Sequence, residues 1–139
     1  MKEKLMAYLQ EFVTERRLQQ IDHVLQNRTR YITVVLEDIY QSHNASAVLR
    51  SCECFGIQDV HIIENRNKYQ VNPDVALGSS KWLTLHKHSQ LENNTRPAIE
   101  SLKSQEYLII ATVPDKDAEP VEELDLNQGK IALFCRQFR

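Results

Sequence analysis

The chain has 139 residues, of which 42% are hydrophobic and 26% are charged, and its formal net charge is −2 at pH 7. This length and composition fit one ordinary globular domain and exclude a disordered or fibrous protein. A charge so close to zero gives no overall attraction to nucleic acid, so any binding to RNA would depend on a local basic patch.

The sequence carries no membrane or export signal. No stretch approaches the roughly 18 apolar residues of a membrane span, and the N-terminus MKEKLMAYLQEF lacks the apolar core of a signal peptide. We therefore expect a cytoplasmic protein with no membrane partner. Its three cysteines, an odd number, then indicate reduced thiols. Cys52 and Cys54 would point to opposite sides of a helix, so no metal site is expected.

Residues 1–30 form the first predicted unit, a helical extension with basic residues. Apolar side chains recur mostly every three or four positions over residues 4–27, which predicts one helix. The arginines that make up the local basic concentration are Arg16, Arg17, Arg28 and Arg30. They can contact an RNA backbone or belong to a solvated face of mixed charge, and the sequence leaves both interpretations open.

A strand and a helix follow this extension. YITVVLEDIY, residues 31–40, is β-branched, aromatic and almost continuously apolar, which predicts a strand buried on both faces. Residues 44–55 are predicted as a helix with one buried apolar stripe, and Gly56 can close that helix.

The remaining predicted elements alternate strands with one helix and with loops. They are a strand at 59–64, a strand at 82–88, a helix at 90–104 with Pro97 at its start or at a kink, a buried strand at 107–113, an exposed loop with one helical turn at 114–129, and a strand from Lys130. This order predicts an α/β protein with a mostly parallel sheet and flanking helices. The chain has three glycines, too few and too scattered for a Rossmann fingerprint or a Walker P-loop.

The turn after the first strand is the predicted site, because ligands of parallel sheets gather beyond the carboxyl ends of the strands. There Asn44 and Arg50 would place a carboxamide and a guanidinium at the mouth of the sheet, where the guanidinium can grip a phosphate. Simpler roles also fit, with Asn44 as the helix N-cap and Arg50 paired with Glu53. Lys81 in the GSSKW loop is either a phosphate contact or a solvated lysine.

The stretch covering this turn resembles a family motif. It reads VVLEDIYQSHNASAVLRSCECFGIQDVHII, and it is similar to the first motif of the SpoU/TrmH-type RNA 2′-O-methyltransferases of the SPOUT superfamily. GSSKW, YLIIATV and IALF continue the family pattern in the same order. The resemblance implies a SPOUT-like fold and S-adenosylmethionine-dependent methylation of a ribose 2′-hydroxyl in tRNA or rRNA, with tRNA guanosine as the best match.

The resemblance also implies roles for individual residues. Arg50 would be the catalytic residue that helps to deprotonate the ribose hydroxyl together with an RNA phosphate, and Asn44 would help to arrange it. Thr112 matches a position that binds the methyl donor. The positions that match tRNA contacts are Arg17, Arg28 and Lys81.

Residues 31–139 are identified as a truncated SpoU-type methyltransferase domain, because the resemblance ends near the C-terminus. Cys135 stands where the family has a glycine, and the segment that forms the family's C-terminal trefoil knot is lacking. In the family that segment supplies most of the donor pocket and the main dimer surface. We therefore expect this chain to bind S-adenosylmethionine weakly or not at all, and the family homodimer to be in doubt. A noncatalytic RNA-binding remnant is the alternative function.

Overall fold

The computed structural model describes residues 1–136, in which five α-helices and five strands follow one another. The helices are α1 (Lys2–Gln10), α2 (Glu15–Gln26), α3 (Ser42–Cys54), α4 (Pro73–Ala76) and α5 (Thr95–Ser104). The strands are β1 (Ile32–Glu37), β2 (Asp59–Ile63), β3 (Thr84–His88), β4 (Tyr107–Ala111) and β5 (Lys130–Arg136). Two short 3₁₀ turns occupy Ser79–Lys81 and Val121–Glu123. No helix within these residues is long and apolar enough to cross a bilayer.

The five strands form one parallel sheet in the order β3-β2-β1-β5-β4, which confirms the predicted α/β class. β1 lies at the centre, where Val35 is opposite His61 of β2 and Phe134 of β5. β1 and β2 are buried almost throughout, and for β1 its apolar sequence predicted this. Because all strands run in one direction, their carboxyl ends share one edge of the sheet, from which the loops at 38–41 and 64–72 emerge.

Helices cover the two faces of the sheet. α3 packs on one face, where Leu49 is fully buried in a cluster that includes Leu36. α5 packs on the other face, where Leu102 is fully buried in a cluster with Val35. Burying a leucine side chain stabilises a fold by roughly 1.5–3 kcal/mol. These two leucines therefore help to fix α3 and α5 relative to the strands.

The N-terminal extension consists of two helices, so the prediction of a single helix over residues 4–27 is wrong. The chain turns between Gln10 and Glu15, where Thr14 is extended with φ −66° and ψ 148°. α1 buries none of its residues, so no packing holds it in line with α2. The apolar spacing continues through the break at Phe12 and Val13, which is why periodicity did not reveal it.

β4 is an exposed edge strand, whereas its apolar sequence predicted a buried strand. Within residues 1–136 it pairs only with β5, and none of its residues is buried. On one face Tyr107 and Ile109 pack against the α5 cluster, while Leu108 on the opposite face is 43% exposed. The edge position and the incomplete cover over Leu108 account for the difference.

Two helix boundaries also differ from the predictions. α3 begins at Ser42 rather than at Asn44, and α5 begins at Thr95 rather than near residue 90. Pro97 is the third residue of α5 and therefore lies in the first turn, where its missing N–H leaves no intrahelical bond unmade. The start of α5 two residues before Pro97 agrees with the expectation that this proline places the start of the helix nearby.

Candidate nucleic-acid interface

The candidate site lies on α3, which begins directly after the carboxyl end of β1. One side of this helix is buried through Ala45, Ser46, Leu49 and Cys52. The side that faces solvent, which we call the α3 stripe, consists of His43, Asn44, Ala47, Arg50, Ser51 and Cys54. The stripe thus presents the two predicted catalytic residues outward.

The Arg50 side chain is exposed and has no hydrogen bond or ion pair within residues 1–136. The alternative that it pairs with Glu53 is wrong, since the Glu53 carboxylate accepts from Arg28 at 3.2 Å. Arg50 is the ninth residue of α3, so it lies about 12 Å along the helix at 1.5 Å per residue. It therefore sits behind the mouth of the sheet, with a long side chain on a bond that tilts toward the helix start.

Asn44 is not the N-cap residue, because α3 begins two positions earlier and Gln41 occupies the N-cap. The Asn44 backbone N–H donates to the Gln41 carbonyl at 3.0 Å. Its carboxamide is exposed and makes no hydrogen bond to any residue in the range 1–136. Six residues separate Asn44 from Arg50, about 9 Å along the axis, and the two side chains border the α3 stripe on either side.

The residue before this turn, Asp38, ties two loops of the sheet edge together. Its Oδ1 accepts from the backbone amides of Asn65 and Arg66 at 2.8 Å and of Asn67 at 3.3 Å. Burial alone would raise the pKa of Asp38, but these bonds outweigh burial and hold the pKa below its usual value. The ionised carboxylate therefore fixes the loop after β2 against the loop after β1.

A second contact holds the same loop against α3 itself. The buried Ser46 hydroxyl lies 3.0 Å from the Tyr69 hydroxyl and also accepts from the Asn72 backbone N–H at 3.0 Å. Tyr69 is 5% exposed, so both the ring and the hydrogen bonds are shielded from water. Neither Ser46 nor Tyr69 was singled out by the sequence, because their contact spans 23 positions.

Lys81 is exposed at the end of the 3₁₀ turn Ser79–Lys81, which packs against α3. The same turn contains the one buried side-chain oxygen, Ser79 Oγ, that lacks a hydrogen-bond partner among residues 1–136. The structure therefore brings Lys81 to the side of the sheet occupied by Arg50.

The two arginines of the N-terminal extension differ in their environment. Arg17 is exposed on α2. The Arg28 side chain is only 7% exposed and binds the Glu53 carboxylate and the Ile57 carbonyl. Its guanidinium is thus occupied inside the chain, and we leave Arg28 out of the candidate interface. The sequence could not indicate this, because Glu53 is 25 positions away.

Thr112 follows β4 at the far edge of the sheet. Its backbone N–H donates to the Phe134 carbonyl at 2.9 Å, and its hydroxyl donates to the same oxygen at 3.3 Å. β5 lies between β4 and β1, so about 10 Å of sheet width separates Thr112 from the end of β1. The structure therefore does not place Thr112 in contact with the α3 stripe.

A known protein family matches the part of the chain that contains the sheet and α3. The sequence model of the SpoU rRNA Methylase family matches residues 31–135. The chain belongs to this family. The match covers β1 through β5 and leaves the two N-terminal helices outside.

Relatives of this chain are named as RNA-modifying enzymes. The tRNA (guanosine(18)-2′-O)-methyltransferase of Borreliella burgdorferi is 45% identical over 131 residues, which make up 94% of this chain and 58% of that protein. The crystal structure of the Aquifex aeolicus TrmH/SpoU tRNA modifying enzyme aligns with a TM-score of 0.75 and 25% identity, over 89% of this chain and 61% of that chain. This chain thus spans about 60% of the length of these relatives.

A more distant structure supports the fold. The SpoU methyltransferase AviRb of Streptomyces viridochromogenes, solved with the cofactor AdoMet, aligns with a TM-score of 0.58 and 11% identity over 80% of this chain and 42% of that chain. At this identity the likeness concerns the fold alone. It agrees with the parallel sheet described above.

Proposed function

We propose that this chain acts in S-adenosylmethionine-dependent 2′-O-methylation of a guanosine ribose in tRNA, in the cytoplasm. The observation that carries the proposal is the exposed Arg50 on α3, without a partner in residues 1–136, in a chain 45% identical to a tRNA guanosine 2′-O-methyltransferase. A buried or paired arginine at this position would have argued against it. tRNA is preferred to rRNA as the substrate because that relative is named as a tRNA methyltransferase.

The chemistry assigns separate roles to the two residues of the α3 stripe. A ribose hydroxyl must lose a proton as it is methylated, and a guanidinium alone is a poor base. Arg50 therefore holds an RNA phosphate by two N–H donors, and the phosphate oxygen takes the proton. Asn44 orients the same nucleotide through its carboxamide. Fixing the hydroxyl and the phosphate in one geometry supplies a large part of the rate.

The described residues do not by themselves fit the methyl donor. Thr112 lies at an exposed strand end with its hydroxyl already bonded to a carbonyl. The groove of about 510 Å³ beside β4 is lined by Thr112, Gln128, apolar side chains and carboxylates. Among the described residues it offers no lysine or arginine for the carboxylate of S-adenosylmethionine. Donor binding by Thr112 therefore stays a prediction, and we derive no step through the donor.

The RNA surface that we propose joins three cations on different elements. Arg50 lies on α3, Lys81 on the turn packed against α3, and Arg17 on α2. Each can contact a phosphate without reading a base, which sets the position of the RNA rather than its sequence. A second copy of the chain is a further proposed partner, supported by exposed apolar side chains of α1 such as Leu5 and Met6.

Methyl transfer to bulk tRNA tests the proposed function. The chain is incubated with tRNA and methyl-labelled S-adenosylmethionine. The S-adenosylmethionine concentration is millimolar, because the described residues do not by themselves fit the methyl donor. We expect label in tRNA and a loss of at least about 100-fold in Arg50→Ala, the size typical of a removed proton-transfer group. Arg96→Ala removes an exposed arginine that pairs with Glu100 on α5 and serves as the matched control.

Two outcomes would overturn the proposal. Incorporation that is equal in the wild type and in Arg50→Ala would place the chemistry elsewhere. Retention of tRNA by the chain without any incorporation would instead support the alternative function, a noncatalytic RNA-binding remnant.

A further inference from the structure

The loop after β2 has an alternating pattern that neither the catalytic residues nor the family motif explains. We call residues 65–72 the 65–72 loop. Asn67 and Tyr69 turn toward the protein, where the Asn67 side-chain amide donates to the Asp38 carbonyl at 3.0 Å. Arg66 before them, Lys68 between them and Gln70 after them are exposed. The loop thus shows polar and basic side chains to solvent at every second position.

Both ends of the 65–72 loop are fixed. At its start Asp38 accepts three consecutive backbone amides. In its second half the Tyr69 backbone N–H donates to the Glu64 carboxylate at 2.8 Å, and Asn72 donates to Ser46. A backbone held in this way loses little further conformational entropy when its side chains bind a ligand.

The charges of the 65–72 loop have one sign toward solvent. Its two charged residues, Arg66 and Lys68, are both cations. Two carboxylates that adjoin the loop are engaged within the protein, since Asp38 binds backbone amides and Glu64, with a side chain 9% exposed, lies 3.6 Å from Lys87. This arrangement presents two positive groups on a fixed backbone, in a chain whose overall charge is negative.

The position of the loop selects the partner. Ser46, which anchors it, lies on the buried side of α3, two positions after Asn44 and four before Arg50. An RNA whose ribose reaches the α3 stripe must pass its flanking backbone over the neighbouring surface. Phosphates are the groups that exposed arginine and lysine side chains bind at such a surface.

We infer that the 65–72 loop, next to the α3 stripe, binds phosphates of the RNA substrate through Arg66 and Lys68. The identity of the ligand as RNA rests on the proposed function. The contacts are electrostatic and positional, so they strengthen binding of any tRNA and leave the choice of nucleotide to other residues.

The salt dependence of tRNA binding tests this inference. Dissociation constants are measured by fluorescence anisotropy from 50 to 200 mM NaCl for the wild type, for the double variant Arg66→Gln/Lys68→Gln, and for the control Lys103→Gln/Lys116→Gln. The control removes the same charge at two other exposed lysines. We expect the slope of log K against log salt to decrease by about 1.5 in the double variant, since each lost phosphate contact removes about 0.7 to 0.9.

The expected affinity changes follow from the same contacts. At 50 mM NaCl the double variant should bind about tenfold more weakly than the wild type, and the control should stay within about twofold. Equal slopes in the double variant and the control would overturn the inference, as would a wild-type chain that does not bind tRNA. The assay contains no methyl donor, so absence of methyl transfer would overturn the proposed function and leave this result standing.

Discussion

At the scale of single residues, His61 is held between two other imidazoles on the sheet. Its ring is stacked at 4.5 Å on His86 and at 5.3 Å on His88, and its Nδ1 lies 3.0 Å from His88 Nε2. One of those two nitrogens must lack a proton for this contact to be a hydrogen bond. Burial, then the neighbouring His86 and His88, lower the pKa of His61 to about 4 against the opposing effect of Asp59.

The low pKa of His61 predicts a loss of stability in acid. Below pH 6.5 this histidine becomes protonated in the unfolded chain, whereas in the folded chain it becomes protonated only near pH 4. The contribution of neutral His61 to the free energy of unfolding is therefore complete above pH 6.5 and lost near pH 4. Its size is roughly 3 kcal/mol at most. Urea unfolding between pH 4 and 7 should show a flatter pH dependence in His61→Phe than in the wild type.

The control for this prediction is His23→Phe, at an exposed position on α2. It should keep the pH dependence of the wild type, because it leaves the three stacked histidines in place. If His61→Phe follows the same pH curve as the wild type, the histidine stack does not govern stability in acid. Asp59, which binds His86 at 2.9 Å and also pairs with Arg30, is present in all three proteins.

Of the local interpretations of these residues, Asn44 as the N-cap and Arg50 paired with Glu53 were wrong. The outward position of Arg50 followed from the spacing of apolar residues on its helix, since those residues define the buried side. The roles of Arg28 and Asp38 could not be predicted in this way. Their partners lie 25 and 27 positions away, at Glu53 and Asn65, and come near only when the sheet forms.

At the scale of elements, Gly56 joins the N-terminal extension to the sheet. It has φ +75° at the end of α3, and a Cβ there would lie 2.2 Å from the backbone oxygen of Asn27. Its carbonyl accepts from the Thr29 N–H at 2.8 Å, and the Gln58 N–H donates to the Thr29 carbonyl at 3.0 Å. The glycine thus allows α2 to end directly against the turn that starts β2.

Replacing this glycine should separate the two segments. Gly56→Ala combines the cost of a positive φ with a clash against backbone, and we expect it to lower the free energy of unfolding by more than about 2 kcal/mol. Gly78→Ala is the matched control, because Gly78 has φ +84° but no atom within 4 Å of its added Cβ. It should cost only about 1 kcal/mol.

Urea unfolding of the two variants measures this difference. Equal losses in Gly56→Ala and Gly78→Ala would mean that the approach to Asn27 is not tight in solution. The αL turn alone would then explain both values.

The elements themselves were largely predictable, because buried strands are written in continuous apolar runs. β1 is of this kind, whereas β2 is buried although it contains Asp59 and His61. β4 has an equally apolar sequence but lies at the edge, and a strand's place in the sheet is set by crossover connections that composition does not encode. The break between α1 and α2 was missed because neither glycine nor proline marks it.

At the scale of the whole molecule, the parallel sheet lets residues far apart in sequence act on one surface. α3 follows β1, the 65–72 loop follows β2, and the turn carrying Lys81 precedes β3, and these three strands are adjacent. The fold class followed from the order of predicted elements, whereas this neighbourhood required the strand order. It explains how a chain with a net charge of −2 can present a local cationic surface.

The central claim, that Arg50 on this surface directs methyl transfer to an RNA ribose, is tested most directly by the chemical identity of the product. tRNA treated with the chain and S-adenosylmethionine is digested to nucleosides and analysed by mass spectrometry, in parallel with Arg50→Lys. We expect 2′-O-methylguanosine from the wild type and at least about 100-fold less from Arg50→Lys, which keeps the charge but loses the bidentate grip. A methyl group on a base nitrogen, or an unchanged yield from Arg50→Lys, would contradict the claim.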